Sequence, residues 1–210
     1  SIYDTVLLKD VVSRYNIRNV EFLIRLTEYL AENTGNIISA KKISDYLKSQ
    51  NNNIPPNTVI NYINSLTSTY LINKISRQNI EGKKVFEINE KYYFEDLGLR
   101  NSLIGFRPQD ISKILENAVY MHLKYLDYEL KIGVLSGKEI DFIAKKNEKI
   151  VYIQVSYLLA DDKVIEREFG NLLAIKDNYE KIVVSMDQLP FTNFKGIKHY
   201  NLLEFLNNFT

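Results

Sequence analysis

One stretch constrains this chain more than any other: residues 138–157, KEIDFIAKKNEKIVYIQVSY, where a carboxylate inside one apolar run faces polar residues inside the next. Ile140, Phe142, Ile143 and Ala144 surround Asp141, and residues 150–159 are apolar except chiefly at Gln154 and Ser156. A near-continuous apolar run of that length reads as a strand covered on both faces. The polar linker Asn147-Glu148-Lys149 makes the two runs a hairpin. Because side chains alternate with a period of two, Gln154 and Ser156 share a face, and Asp141 can share it with them.

Upstream, the sequence predicts an α+β chain of two modules. Asn19 caps a helix over residues 19–32, with Phe22, Leu23, Leu26, Tyr29 and Leu30 inward. Ser39 caps a second helix with Ile43, Tyr46 and Leu47 inward, and Pro55-Pro56 opens a third with Val59, Ile60, Ile63 and Leu66 on one stripe. Residues 71–77 and 83–88 read as strands joined around Glu81-Gly82. Three helices followed by a hairpin is the winged-helix order, in which the third helix usually meets DNA. Its outer face is expected to carry Thr58, Asn61, Ser65 and Ser68, with no lysine or arginine, so phosphate neutralisation falls to the hairpin's Lys74, Arg77, Lys83 and Lys84. Asn61 or Asn64 is the candidate for reading an adenine edge. A structural or protein-docking role is the competing reading of this module.

Residues 91–109 read as a connecting segment, its Tyr92, Tyr93 and Phe94 available either for packing or for stacking bases. Asp110 then caps a helix to residue 125 with Ile111, Ile114, Leu115, Ala118, Val119 and Leu126 inward and Glu116 at the stripe's edge. Tyr120, Tyr125 and Tyr128 read as a packed aromatic cluster. Strands are expected at 130–135, 140–145 and 151–157, a helix from Asp161 or Asp162 to residue 176, strands at 181–186 and 197–200, and a last helix from Asn201. On the helix after residue 161, Val164, Ile165, Phe169, Leu172 and Leu173 face the sheet. Glu168 falls on that same side, where a carboxylate needs a partner or a metal.

The order helix, three strands, helix, strand, with Asp141 across a hairpin from Gln154-x-Ser156, resembles the PD-(D/E)XK nuclease fold. That family sets two acids and a lysine on one face of a mixed central sheet. The acids hold a divalent cation and the lysine helps orient the attacking water. The resemblance implies Asp141 at the first acid, Gln154 at the second and Ser156 at the lysine, with Glu116 contributed by the first helix. Glu116, Asp141 and Gln154 would hold Mg²⁺ weakly, and Lys138 or Lys163 stands as a migrated base. Taken end to end, VLLKDVVSRYNIRN (6–19), NEKYYFEDLGLRNSL (89–103), ILENAVYMHL (114–123), GKEIDFIA (137–144), YIQVSYLL (152–159) and EREFGNLLAIKDNYEKIVVSMD (166–187) resemble the C-terminal part of prokaryotic AAA+-type ATPases, a winged helix followed by a nuclease-like domain.

That resemblance implies residues 1–19 as an entry segment from an ATPase lid, 20–90 as a winged helix and 110–210 as the nuclease-like domain. The absent ATPase module would be a partner. No G-x-x-x-x-G-K-[ST] occurs, so the chain is expected not to bind ATP. Leu7 and Leu8 would be a bared interface, open to self-association. A net charge of +1 provides no long-range basic field, so contact with DNA must be local. The absence of cysteine fits a reducing cytoplasmic setting, and no apolar run reaches the roughly 18 residues of a membrane span. The leading reading is a nucleic-acid- or partner-binding module with a blunted site; a Mg²⁺-dependent endonuclease and a structural scaffold are the alternatives.

Overall fold

The computed structural model describes residues 11–82, 85–159, 161–188 and 193–210. It divides into two compact units, the first Ser1–Lys74 with Ile88–Pro108, the second Ile75–Glu87 with Gln109–Thr210. The fold is α+β with one mixed sheet of eight strands.

In the first unit, helices α1 (Val20–Glu32), α2 (Ala40–Ser49) and α3 (Pro56–Ser68) form around one apolar core. Asn19 accepts a bond from the Phe22 amide at 2.9 Å and Ser39 one from the Lys42 amide at 3.2 Å, so both sequence-read caps stand. Phe22, Leu23, Leu26, Leu30, Ile43, Leu47, Val59, Ile63 and Leu66 are buried as expected. Tyr46 and Ile60 are instead exposed, and Tyr62 and Ser65 turn inward on α3. The Asn19 amide donates to the Tyr62 hydroxyl at 3.1 Å, which gives Tyr62 a polar partner on the inner face. Ser65 loses its expected place on the outer face because its hydroxyl bonds back to the Asn61 carbonyl at 3.0 Å. Val11 is fully buried in this core, with Val12 and Ile17 packed against it, so the described part of the entry segment is built into the unit. Leu7 and Leu8 lie outside the described residues.

Strand β1 (Ile72–Asn79) is followed by β2 (Val85–Phe94) and helix α4 (Leu97–Ile104). The stretch read as a connector is therefore the end of a strand and a helix. Tyr92, Tyr93 and Phe94 are buried and present no face to a nucleic-acid base. From α4, Arg100 is completely buried; its Nε donates to the Ala31 carbonyl at 3.0 Å and its Nη1 to Asn101 Oδ1 at 3.1 Å.

The second unit carries α5 (Ile111–Tyr125), β3 (Glu129–Leu135), β4 (Lys138–Lys146), β5 (Lys149–Val155), α6 (Asp162–Leu173), β6 (Glu180–Ser185), β7 (Asn193–Phe194), β8 (Ile197–Asn201) and α7 (Leu202–Asn208). Strand order across the sheet is β2-β1-β3-β4-β5-β6-β8-β7. β4 runs antiparallel to β3 and β5, whereas β5, β6 and β8 are mutually parallel. The far end of β1 pairs in parallel with β3 (Arg77↔Ile132 to Asn79↔Val134), so it is an internal strand and not a free wing. A Cβ at Gly133 would sit 2.9 Å from Ile140 Cβ and 3.1 Å from Ile80 Cδ1, so the bulged strand needs glycine there. Asp110 makes no capping bond and instead meets Lys113 Nζ at 3.2 Å. Tyr120 and Tyr128 are buried, but Tyr125 points to solvent from the last turn of α5; Leu173 is likewise exposed. No helix among the described residues is long and apolar enough to cross a membrane.

Candidate functional site

The register of the sheet decides which side chains can meet. Phe142 pairs with Ile153, so Asp141 and Gln154 occupy the next positions along β4 and β5, side by side on one face. Gln154 in turn pairs with Val183 on β6, and Val183 with His199 on β8. One row thus crosses four strands. Asp141, Gln154 and His199 within it are buried.

A cleft of about 670 Å³ opens over the start of this row, lined by β4 (Lys138, Glu139, Asp141), β5 (Gln154) and α6 (Lys163, Glu166, Arg167, Glu168, Gly170, Asn171). Asp161 sets the start of α6 by accepting the Val164 amide at 2.9 Å. Helical spacing then presents residues 163, 166, 167, 170 and 171 as one stripe. Of the cleft-lining residues of this helix, the sequence singles out only Lys163 and Glu168. The i, i+3, i+4, i+7, i+8 recurrence of polar and small residues beside an apolar stripe was the available signal for the rest.

Asp141 Oδ2 accepts the Val155 amide at 2.8 Å, which fixes the carboxylate against the end of β5. Glu168, 6% exposed, receives both Nε and Nη2 of Arg167 on Oε1. Among the described residues Gln154 Oε1 is buried with no hydrogen-bond partner. Leaving such an oxygen unsatisfied costs about 1–3 kcal/mol, so a donor or cation entering from the cleft would be favoured there. Lys138, Lys163 and Arg167 oppose Glu139, Asp141, Glu166 and Glu168 around the cleft, a mixed field with no surplus of cations to hold a phosphate unaided.

Two expected members stand apart. Glu116 lies half-buried on α5 and is not among the residues lining the cleft. Ser156 falls one residue beyond β5, where its amide donates to the Val184 carbonyl at 2.9 Å and its hydroxyl to the Leu158 carbonyl at 3.3 Å; it too is absent from the lining. The strand ends earlier than its apolar run because residues 156–159 already turn toward α6. Among the described residues no three His, Cys, Asp or Glu side chains gather as a metal cage; the cleft brings together the carboxylates of Asp141 and Glu168 and the amide of Gln154.

The residues expected to contact nucleic acid from the first module lie in different settings. Lys74 pairs with Glu90 at 3.2 Å, and Arg77 is half-buried within the internal strand β1. Asn61 stands exposed on α3, whereas Lys83 and Lys84 lie outside the described residues.

Residues 1–110 match the family described as "Domain of unknown function (DUF8612)". An uncharacterized protein of Haemophilus influenzae is 33% identical over 205 residues, covering 98% of this chain and 50% of the relative. The uncharacterized protein MJ1544 of Methanocaldococcus jannaschii is 27% identical over 150 residues, covering 71% of this chain and 32% of its own length. The chain therefore spans half or less of these curated relatives. A solved structure, "Crystal structure of protein VC1899 from Vibrio cholerae", aligns with 96% of this chain and 53% of its own at 11% identity and a TM-score of 0.28, too low to bear on the fold. The chain belongs to the DUF8612 family.

Proposed function

We propose that the second unit of this DUF8612 member is a PD-(D/E)XK nuclease-like module that grips a nucleic-acid backbone at the Asp141–Gln154–Glu168 cleft and cleaves it slowly or not at all. Its order of helix, three antiparallel strands, helix and parallel strand agrees with that fold. The observation that carries the reading is the single cleft shared by Asp141, Gln154 and Glu168, with Gln154 Oε1 left without a donor. All three offer oxygen, the donor a hard divalent cation takes. When bound there, Mg²⁺ would supply positive charge beside a phosphodiester oxygen.

The chain's own groups set the balance between holding and cutting. Val155 and Arg167 already engage one oxygen each of Asp141 and Glu168, which lowers their capacity for a cation. Lys138 and Lys163 stand at the cleft to meet a backbone phosphate. No lysine occupies position 156, and its serine hydroxyl is turned to Leu158. By analogy with deleting one preorganised electrostatic donor, that loss lowers a cleavage rate by roughly 10²–10³ while sparing ground-state contacts. Binding thus outlasts catalysis. Lys74, paired with Glu90, and the half-buried Arg77 of β1 favour a docking role over DNA contact for the part of the chain read as a winged helix. An ATPase partner module and self-association belong to the same proposal, since the relatives extend well beyond this chain.

Fluorescence anisotropy of labelled duplex and branched DNA tests the reading. Binding should strengthen on adding Mg²⁺, weaken steeply with salt and drop at least about tenfold in Asp141→Ala. Absence of binding at low salt would end it, and rapid cleavage abolished by the same substitution would favour the endonuclease alternative.

A further inference from the structure

Beyond the cleft, the same row of the sheet ends in a polar cluster that the proposed function leaves unused. Ser185, 1% exposed at the end of β6, and His199, 6% exposed on β8, approach at 2.9 Å between Oγ and Nε2. Ser185 Oγ also lies 3.2 Å from Asp187 Oδ2 and accepts the Asp187 amide at 3.0 Å. Asp187 Oδ2 in turn accepts the Leu159 amide at 2.6 Å. A carboxylate is the strongest acceptor present, so the serine hydroxyl donates to Asp187, and Ser185 Oγ then accepts a hydrogen bond from His199 Nε2–H. The bonds run in one direction: His199 to Ser185 to Asp187, with Leu159 held at the far side.

Leu159 belongs to the crossover between β5, which carries Gln154, and α6, which carries Lys163, Glu166 and Glu168. Two further backbone bonds, Ser156 to Val184 and Met186 to Tyr157, tie the same crossover to the end of β6. We propose that His199, Ser185 and Asp187 form a positioning relay that fixes this crossover, so that protonation of His199 releases Leu159 and loosens the cleft.

The surroundings of His199 are consistent with a titrating switch. Burial pushes the imidazole below its ordinary value, while the charges of Asp187 in the loop after β6 and Glu204 on α7 pull it upward. From α6, the ionisable side chains Lys163, Glu166, Arg167 and Glu168 face the cleft; β7 contributes none, and β8 itself adds Lys198 and Tyr200. Protonation at Nδ1 leaves Nε2–H in place as a charge-assisted donor to Ser185, which draws the Ser185 hydroxyl harder onto Asp187 Oδ2 and slackens that oxygen's hold on the Leu159 amide.

The relay makes a claim about Leu159 that does not depend on nucleic acid, although its effect on the cleft rests on the function proposed above. Heteronuclear NMR of the 210-residue chain between pH 8 and 5 should show the Leu159 amide shifting with the same midpoint as the His199 ring. In Ser185→Ala the two should separate, and Ser185→Thr, which keeps the hydroxyl, should restore the coupling. DNA affinity should fall at least about threefold across that midpoint in the unaltered chain and stay flat in Ser185→Ala. A Leu159 amide indifferent to His199 in the unaltered chain, which needs no substitution to fold, would overturn the relay. Coupled titration without any DNA binding would sustain it and remove the proposed function instead.

Discussion

The two units bury polar groups in different ways. In the first, buried polar groups bond to backbone carbonyls: Thr27 to Leu23, Ser44 to Ile54, Ser65 to Asn61, and Arg100 across to Ala31. These groups finish helix ends and turns inside an apolar core. In the second, Asp141, Gln154, Glu168, Ser185 and His199 gather toward one end of the sheet, and Gln154 Oε1 stays without a donor. The first set closes bonds inside its own core, whereas in the second Asp141, Gln154 and Glu168 line an open cleft.

That contrast can be broken by substitution. The largest effect belongs to the first unit. Arg100→Ala removes a fully buried side chain and leaves the Ala31 carbonyl with only the Thr34 hydroxyl at 3.1 Å, so urea unfolding should show a loss of about 3 kcal/mol or more. A loss under about 1 kcal/mol would mean that Arg100 is not the structural closure described. In the second unit the sign reverses. Gln154→Leu keeps the volume and removes an unsatisfied oxygen, so stability should rise by about 1 kcal/mol while Mg²⁺-dependent DNA binding is lost. Destabilisation with binding retained would make Gln154 an ordinary core residue.

The smallest effect is the pH dependence of His199. Its folded pKa lies below the ordinary value of about 6.5, so the unfolded chain takes up the proton first as pH falls. The group's contribution is therefore present above about pH 6.5 and lost on acidification toward the folded pKa. Thermal melting should be level above pH 7 and decline below 6.5, with a shallower decline in His199→Gln; an identical slope in that variant would assign the decline to other groups.

Much of the fold was legible because period and capping act locally. Asn19 and Ser39 receive the expected amides, the helices read from Asp161 or Asp162 and from Asn201 start there, and the 138–157 hairpin places Asp141 beside Gln154 as alternation allows. The errors arose where tertiary partners overrode a stripe: Tyr62 took the inner position assigned to Ile60, and Tyr125 reached solvent where α5 ends. Ser156 illustrates a finer limit, since alternation continues in the sequence beyond the residue where the strand stops. The parallel pairing of β1 with β3 joins residues more than fifty positions apart, and no local pattern announces it. The His199 relay was missed for the same reason, its members belonging to separate strands and loops.

The central claim is that oxygen donors from β4, β5 and α6 share a cleft suited to one cation. Paramagnetic broadening by Mn²⁺, read amide by amide, addresses it most directly. Broadening should centre on residues 139–141, 154–155 and 163–171 and disappear in Asp141→Ala. Broadening centred elsewhere, or unchanged in that variant, would contradict the account.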